Sequence, residues 1–288
     1  RALLANIDFD QPVTEVLNRK AESGRDHPIT APANRSSDLY LSILKKHKIS
    51  HLPLVDARRR VVGLVTINDF SPNSVLPLFA VVMAGGEGSR LRPLTNDMPK
   101  PMLPIGDKPL MEITIQKLRD AGIRRVNVTT HYKSEKIGEH FSDGKNMGVE
   151  ISYVAEDRPL GTAGALGLLK PPAETSLVIN GDILTDVDFR AMLDYHREQG
   201  ADLTVAIRRY RVQIPYGVVE CEHSRIRRIT EKPALEGFIN AGIYLLEPSV
   251  YQFIPKNGRF EMTELIQRLV DENLPVVGFP VHEAWLDI

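Results

Sequence analysis

One short glycine-rich loop carries the residue types that bind phosphate. Its glycines, which directly follow an apolar run, are Gly85, Gly86 and Gly88. Glycine allows a backbone to approach a bulky anion, and the exposed N–H groups of such a loop can align with phosphate oxygens. Arg90 and Lys100 follow at spaced positions and can supply the compensating positive charge. An apolar strand, a glycine loop and two cations together predict a polyphosphate site.

The loop differs from two better-known phosphate-binding loops. It lacks the Gly-Lys-Ser/Thr ending of the Walker pattern. Counted from Gly86, the third glycine of the dinucleotide pattern G-x-G-x-x-G would fall on Leu91, so that pattern also fails. A tight turn without a ligand is the alternative interpretation, which Arg90 and the Pro-Lys-Pro at 99–101 disfavour.

A carboxylate follows a second apolar run. Asp182 ends the sequence Asn180-Gly181-Asp182, which comes directly after a short buried-strand pattern at 177–179. In open α/β sheets, ligands bind beyond the carboxyl ends of the strands. We therefore expect Asp182 and the glycine loop to lie on the same edge of a sheet. A turn is the alternative interpretation of the tripeptide taken alone.

Alternating strand and helix patterns surround these residues. Apolar positions over 110–121 repeat at helical spacing, and Gly122 would end that helix. Residues 125–130 alternate as a strand, a helical stretch ends near Phe141, and residues 201–207 give a further strand pattern. Repeated βα units predict an α/β fold with a Rossmann-like, mainly parallel sheet and helices on both faces.

The first part of the chain has a different pattern. A helix is predicted over about 36–48, with a serine as its cap. Two short apolar strands, at 51–56 and 61–66, flank a basic turn and predict a hairpin. A further helix should begin near 66–69.

These patterns predict two regions of unequal size. The smaller region covers 1–72, a turn-rich linker covers 73–78, and the larger region covers 79–288. The sequence begins with Arg1 and stops at Ile288 within a motif, so we expect it to be a fragment of a longer protein.

The composition excludes several classes of function. The chain has 288 residues, with 36 Lys plus Arg against 37 Asp plus Glu, so it lacks the basic excess of a typical nucleic-acid binder. A single cysteine, Cys221, excludes an internal disulfide and favours a reducing compartment, so we expect a cytoplasmic protein. We find no long apolar stretch or signal-peptide pattern and expect no membrane partner.

The glycine loop and the residues after it resemble the signature of a known family. The sequence GGEGSRLRPLTNDMPKPMLPIGDKP, at 85–109, is similar to that of the sugar nucleotidyltransferases, also called nucleotide-sugar pyrophosphorylases. The resemblance implies that a nucleoside triphosphate and a sugar 1-phosphate are joined with release of pyrophosphate. It also implies that Ala84 and the three glycines hold the triphosphate, while Arg90 and Lys100 neutralise its charge.

The resemblance implies a metal site and a sugar site as well. Asp182 would be one ligand of Mg²⁺, and Asp287 in Trp-Leu-Asp-Ile would be the second, as in the WxDIG-type motif of the family. Lys232, in an EKP element, would contact the sugar phosphate. The segments that would hold the sugar contain Gly217, Glu231 and Asn240. A solvated carboxylate, an exposed ion pair and ordinary turns are the alternatives at these positions.

A third segment resembles the part of the family that binds the base. It contains Gly161 and Thr162, and its wording PLGTAGAL favours the mannose 1-phosphate guanylyltransferase branch, with GTP as the nucleotide. Base choice can depend on one or two hydrogen bonds of about 1 kcal/mol each, so the base and the sugar both stay open.

The smaller region resembles a CBS domain in its HLPLVD and GLVTINDF segments. Residues 1–19 would be the tail of a preceding repeat. The resemblance implies that Thr66 and Asp69 contact an adenosine nucleotide, and that the protein forms homo-oligomers, because CBS modules often pair. A helix cap at Thr66 and a solvated Asp69 are the alternatives.

Together, the resemblances predict an Mg²⁺-dependent enzyme that transfers a nucleotidyl group, GMP from GTP, to a hexose 1-phosphate for polysaccharide or glycan synthesis. The alternative is a catalytically silent regulatory or scaffold subunit that senses nucleotides. Such a relative would be expected to lose a charged residue of the site, whereas Arg90, Lys100, Asp182 and Asp287 are all present. The enzyme is therefore the favoured prediction.

Overall fold

A computed structural model describes residues 28–47, 49–70 and 75–288. The chain divides between Val75 and Leu76 into two compact units. This division falls within the segment 73–78 that was predicted as a linker, and Leu76 and Leu78 are buried in the core of the second unit. The domain boundaries drawn from the sequence stay predictions. The suggested repeat tail at 1–19 lies outside the described residues.

The described part of the first unit is a small three-stranded sheet with one α-helix. Its elements are β1 (Ala31–Pro32), α1 (Ser37–His47), β2 (His51–Val55) and β3 (Val61–Thr66), followed by a 3₁₀ helix over Ile67–Phe70. Strand β2 pairs parallel to β1 and antiparallel to β3, so the predicted hairpin is present. Tyr40 and Leu44 of α1 pack against Leu52 of β2 in a small core. The further helix expected near 66–69 is this single 3₁₀ turn.

Thr66 ends β3 and is half-buried, while Asp69 lies in the 3₁₀ turn and its side chain is outside what the structure describes. The CBS interpretation and its adenosine nucleotide therefore stay predictions.

The second unit alternates strands and helices. Its strands are β4 (Phe79–Met83), β5 (Pro104–Ile105), β6 (Lys108–Pro109), β7 (Arg125–Thr130), β8 (Glu150–Ala155), β9 (Ser176–Asn180), β10 (Ile183–Thr185), β11 (Leu203–Gln213), β12 (Val218–Glu222), β13 (Arg225–Thr230), β14 (Ala234–Leu246), β15 (Val276–Pro280) and β16 (Trp285–Asp287). Its helices are α2 (Leu110–Asp120), α3 (Ser134–Phe141), α4 (Gly161–Gly164), α5 (Phe189–Gln199) and α6 (Met262–Asp271).

The main sheet has seven strands in the order β15-β11-β14-β9-β4-β7-β8. Every neighbouring pair is parallel except the two that involve β14, which runs antiparallel to both β11 and β9. The sheet is therefore mixed, with one reversed strand in an otherwise parallel arrangement. The reversal arises because the chain returns from β11 to its neighbour β14 through the β12–β13 hairpin, whereas parallel neighbours need a crossover.

Helices cover both faces of this sheet, as the sequence predicts. Alternate residues of β4 point to opposite faces, so Ala80 and Val82 join one core cluster while Phe79 and Val81 join the other. Helices α2, α3 and α5 contribute to the first cluster, and α4 and α6 contribute to the second. Because helices cover both faces of the sheet, a ligand can reach it at the ends of the strands. No helix among the described residues is long and apolar enough to cross a membrane.

Removing one side chain from the first cluster should destabilise the second unit. Leu118 of α2 is 0% exposed, so Leu118→Ala should lower the free energy of unfolding by about 2–5 kcal/mol through lost burial and a residual cavity. Urea denaturation of the purified protein measures this change. Leu235→Ala, at a leucine that is 63% exposed, is the matched control and should stay within about 0.5 kcal/mol of the wild type. Equal losses in the two variants would contradict the assignment of the core.

Candidate active site

A cleft of about 270 Å³ opens beyond the carboxyl ends of β4 and β9. Residues 83–86 line it from the end of β4, and residues 180–182 line it from the end of β9. These two strands are parallel neighbours, with Met83 in register with Asn180. The structure thus brings the glycine loop and Asp182 to one edge of the sheet, as the strand pattern predicts.

Close backbone packing requires glycine where the two segments meet. The N–H of Gly181 donates to the carbonyl of Met83 at 2.9 Å. A Cβ on Gly181 would lie only 2.7 Å from that same oxygen, so a larger residue could not keep this contact. At Gly86, by contrast, a Cβ would meet nothing within 4 Å, because this glycine faces the open cleft.

An ion pair joins the loop after β4 to the end of β9 at the cleft. Lys100 Nζ lies 2.7 Å from Asp182 Oδ2. The side chains keep 15% and 28% of their exposure, respectively, so both groups are partly shielded but can still be reached by a ligand. Lys100 begins a 3₁₀ helix over Lys100–Met102 after Pro99, which orients it back toward the sheet edge. A cation and a carboxylate are therefore adjacent at the floor of the cleft.

The second predicted carboxylate lies on a neighbouring short strand. Strand β16 pairs with β10 so that Asp287 is opposite Ile183, and the N–H of Ile288 donates to the carbonyl of Asp182 at 3.2 Å. Trp285 holds the start of β16 against β14, because its Nε1 donates to the carbonyl of Ala241 at 2.8 Å. Asp287 is exposed and is therefore open to a ligand.

The two carboxylates predicted to hold magnesium, Asp182 and Asp287, lie on paired segments, although Asp287 does not line the cleft. Among the residues that the structure describes, no group of three or more His, Cys, Asp or Glu side chains could hold a metal alone. Mg²⁺ commonly uses only one or two carboxylates and takes its remaining ligands from phosphate oxygens and water. Asp182 and Asp287 would supply such a pair.

Two of the residues predicted to bind phosphate, Arg90 and Gly88, do not line the cleft. Arg90 lies on a 3₁₀ helix over Ser89–Leu91, is exposed, and does not line the cleft. Gly88 has a φ of 62°, a left-handed conformation that favours glycine, and it shapes the turn before that helix without lining the cleft.

The predicted sugar-binding residues lie on an arm formed by β12, β13 and the adjoining half of β14. Lys232 and Glu231 are exposed, with 4.0 Å between Lys232 Nζ and Glu231 Oε1. Gly217 packs beside Glu231, since a Cβ there would lie 3.1 Å from Glu231 Oε2. Asn240 Oδ1 accepts a hydrogen bond of 3.0 Å from the N–H of Gly242. None of the four lines the cleft, so their roles stay predictions.

The predicted base-binding segment forms another wall of the cleft. Gly161 and Thr162 begin α4, and Gly161 has a φ of 80°. Both the N–H and the hydroxyl of Thr162 donate to Glu261 Oε2, at 3.0 and 3.1 Å. The Thr162 hydroxyl oxygen also accepts from the N–H of Met262 at 2.8 Å, which ties this wall to the start of α6. Arg259, which donates from Nε to Glu261 Oε1 at 3.0 Å, also lines the cleft.

Sequence reasoning missed one carboxylate of the cleft. Glu156 is 8% exposed and lies against Gly85, where a Cβ would overlap its Oε1. Burial raises the pKa of its carboxyl above the ordinary value of 4.5, although a hydrogen bond from the N–H of Leu160 opposes this shift. The signal was available, because Glu156 directly follows strand β8 just as Asp182 follows β9. The residues around Glu156 form no motif that would distinguish it from other residues at the ends of strands.

Comparison with known proteins agrees with this geometry. The family model described as nucleotidyl transferase matches residues 79–288. The chain belongs to the nucleotidyl transferase family. This assignment confirms the resemblance of the larger region to the sugar nucleotidyltransferases.

The most similar curated relatives include two enzymes with different bases. The chain is 35% identical over 230 residues to a UTP–glucose-1-phosphate uridylyltransferase from Synechocystis, which covers 73% of this chain and 59% of that relative. It is also 35% identical over 217 residues to a mannose-1-phosphate guanylyltransferase from Mycobacterium tuberculosis, with 73% and 60% covered. The chain thus spans about 60% of the length of these relatives.

A solved structure with the same fold comes from Bacillus anthracis. It is a putative glucose-1-phosphate thymidylyltransferase in complex with a sucrose, and it superposes with a TM-score of 0.60 at 26% identity. The alignment covers 73% of this chain and 89% of that chain. The mixed α/β sheet of the second unit is therefore that of the family.

Two glycine substitutions should distinguish a closely packed glycine of the cleft from one that faces open space. Gly181→Ala should lower the melting temperature by several degrees, because its Cβ would press on the backbone oxygen of Met83 and neither group can move away. Gly86→Ala should leave the melting temperature unchanged, since its Cβ has open space. Differential scanning calorimetry measures both. A larger loss for Gly86→Ala than for Gly181→Ala would contradict this description of the cleft.

Proposed function

We propose that the second unit catalyses nucleotidyl transfer from a nucleoside triphosphate to a sugar 1-phosphate. The observation that carries this proposal is the Lys100–Asp182 ion pair beside the glycine loop in one cleft. An ammonium group, a carboxylate and an unobstructed backbone are the groups that a polyphosphate and its metal require. Membership of the family supports the same chemistry.

The reaction needs no covalent intermediate. An oxygen of the sugar phosphate attacks the α-phosphorus, the bond from this phosphorus to the β-phosphate oxygen breaks, and pyrophosphate leaves with the electron pair. Positioning and electrostatic stabilisation can supply most of the rate of such a transfer. Lys100 would offset negative charge as it develops, and Gly85 and Gly86 would leave room for the triphosphate.

We propose Mg²⁺ as the cofactor, held by Asp182 and Asp287. When bound, such an ion would offset negative charge and reduce the repulsion between two anionic substrates. The pairing of β16 with β10 keeps the Asp287 backbone beside the segment that carries Asp182. Asp182 would help to hold the ion, and Lys100 beside it would supply positive charge to a phosphate group.

The sugar phosphate would enter from the side of the arm. Lys232 is the proposed contact to its phosphate, and Gly217, Glu231 and Asn240 are the proposed contacts to the sugar. Arg90 would contribute to triphosphate binding from outside the cleft lining, since its side chain is exposed.

We propose GTP as the nucleotide, and Glu156 supports this choice. Guanine presents two neighbouring donors, N1–H and the N2 amino group, to which one carboxylate can accept hydrogen bonds. Uracil presents a single N3–H between two carbonyl oxygens, and a carboxylate would repel both of these. Glu156 lies between Gly85 and the Gly161 wall of the same cleft, where a base attached to the triphosphate would reach.

Removing the Lys100 cation should abolish most of the transfer activity. In the full-length protein with Mg²⁺, a panel of nucleoside triphosphates and hexose 1-phosphates should give pyrophosphate release for at least one pair. Lys100→Ala should reduce that rate by roughly 10²–10³, the scale for one lost charge-stabilising donor. Lys256→Ala, at an exposed lysine away from the cleft lining, is the matched control and should keep wild-type turnover. Pyrophosphate release by neither wild type nor variant would favour the catalytically silent alternative.

The amide in place of the Glu156 carboxylate should change the base preference. Glu156→Gln keeps the size of the side chain but exchanges one acceptor for a donor, so it should raise the KM for GTP about tenfold and lower that for UTP. Competition between the two nucleotides in the pyrophosphate assay measures the ratio of kcat/KM.

The pH dependence gives a second check on this assignment. As the pH falls through the raised pKa of Glu156, the carboxylate gains a proton and loses acceptor capacity. The KM for GTP should therefore begin to rise at a higher pH than the titration of an ordinary glutamate would give. This rise should be absent in Glu156→Gln. An unchanged ratio of GTP to UTP use in that variant would exclude Glu156 as the group that selects the base.

A further inference from the structure

Thr95 occupies a central position within the loop that follows β4. It is 1% exposed although it belongs to an irregular surface segment. Its hydroxyl donates a hydrogen bond of 2.8 Å to the carbonyl of Gly88. Because a buried hydroxyl needs a partner, this bond closes the loop between the glycine turn and the residues that precede Lys100.

The side chain of Thr95 also fills the space beside the turn. A Cβ on Gly88 would lie 2.8 Å from Thr95 Cγ2 and 3.2 Å from Lys100 Cβ. The glycine turn, the threonine methyl group and the stem of the lysine are therefore packed against one another. A displacement of Thr95 would move both the backbone of the turn and the start of the Lys100 side chain.

A second contact ties this cluster to the body of the sheet. The hydroxyl of Tyr132 lies 3.2 Å from the carbonyl of Thr95 and 3.0 Å from that of Asn96, and it donates to this pair of oxygens. Tyr132 follows β7, the parallel neighbour of β4. Two hydrogen bonds therefore hold the loop at Thr95: its hydroxyl bonds to Gly88 in the same loop, and its carbonyl accepts from Tyr132 after β7.

We propose that Thr95 is a positioning residue for triphosphate binding, and that its hydroxyl fixes the Gly88 turn and Lys100 in their binding geometry. This inference rests on the proposed nucleotidyl transfer. Thr95 does not line the cleft, so it acts through the loop and not by contact with the ligand. Since preorganised groups bind a ligand without paying to be ordered, loss of the hydroxyl should weaken nucleotide binding strongly.

The alternative is that Thr95 only fills space. Thr95→Val keeps the shape and removes the hydroxyl, which would leave the Gly88 carbonyl without its partner. Thr95→Ser keeps the hydroxyl and removes the methyl group. A space-filling role predicts that serine is the worse replacement, whereas a positioning role predicts that valine is.

Steady-state kinetics of the full-length protein distinguish the two roles. We expect Thr95→Val to raise the KM for the nucleoside triphosphate by about 10–100-fold while the KM for the sugar 1-phosphate stays within about twofold. Thr95→Ser should restore most of the nucleotide KM. Thr204→Val is the matched control, because Thr204 is 0% exposed, lies near the amino end of β11 and has its hydroxyl 2.7 Å from His196 Nδ1. It should leave both KM values unchanged.

Tyr132→Phe provides a second variant that does not disturb the buried methyl group. It should raise the nucleotide KM by several-fold and not the sugar phosphate KM, even if Thr95→Val fails to fold. Calorimetric titration with inorganic tripolyphosphate should show the same order of affinities, with the wild type and Thr95→Ser tightest.

The possible failures are distinguishable. If the wild type releases pyrophosphate and Thr95→Val and Tyr132→Phe both keep its nucleotide KM, the positioning role is wrong while the proposed function stands. A variant that loses kcat with both KM values unchanged also overturns it, since that is the result of a smaller folded fraction. If the wild type neither binds tripolyphosphate nor releases pyrophosphate, the proposed function is wrong and this inference fails with it.

Discussion

The arrangement of the cleft depends on one ion pair between residues far apart in sequence. Lys100 and Asp182 are 82 positions apart and meet at 2.7 Å. Each is brought there by a strand of the same sheet, and the two strands are parallel neighbours. A pair of opposite charges that is only partly exposed is stabilised by mutual attraction but remains available to a ligand that offers charges of its own. Lys100 and Asp182 therefore hold the two segments together and are also the charged groups that a ligand would meet.

Backbone packing makes this ion pair possible. Gly181 allows the β9 end to approach the carbonyl of Met83, and Gly88 allows the loop after β4 to turn back over Thr95. Helices seal both faces of the sheet, so the strand ends are the part of the second unit where charged side chains can meet a solvent-exposed ligand. The loop after β4 is held by hydrogen bonds from the Thr95 hydroxyl to the Gly88 carbonyl and from the Tyr132 hydroxyl to the Thr95 carbonyl.

Much of the second unit could be predicted from local patterns. The helix over 110–121 and the strand over 125–130 appear within a residue of their predicted bounds, because strong apolar periodicity reflects burial on one face. The reversed direction of β14 could not be predicted in this way. Strand direction depends on which partner the chain returns to, and the half of β14 at 241–246 is a continuous buried run like that of a parallel strand.

The site shows the same division. Residue types and spacing alone predicted that the glycine loop and Asp182 lie on one edge of the sheet, because each follows a strand pattern, and that Lys100 adds positive charge there. Only the tertiary structure decided that Glu156 faces Gly85 in that cleft, that Arg90 stays outside its lining, and that Thr95 closes the loop. The physical reason is that burial and hydrogen-bond partners are properties of segments distant in sequence, which local patterns do not record.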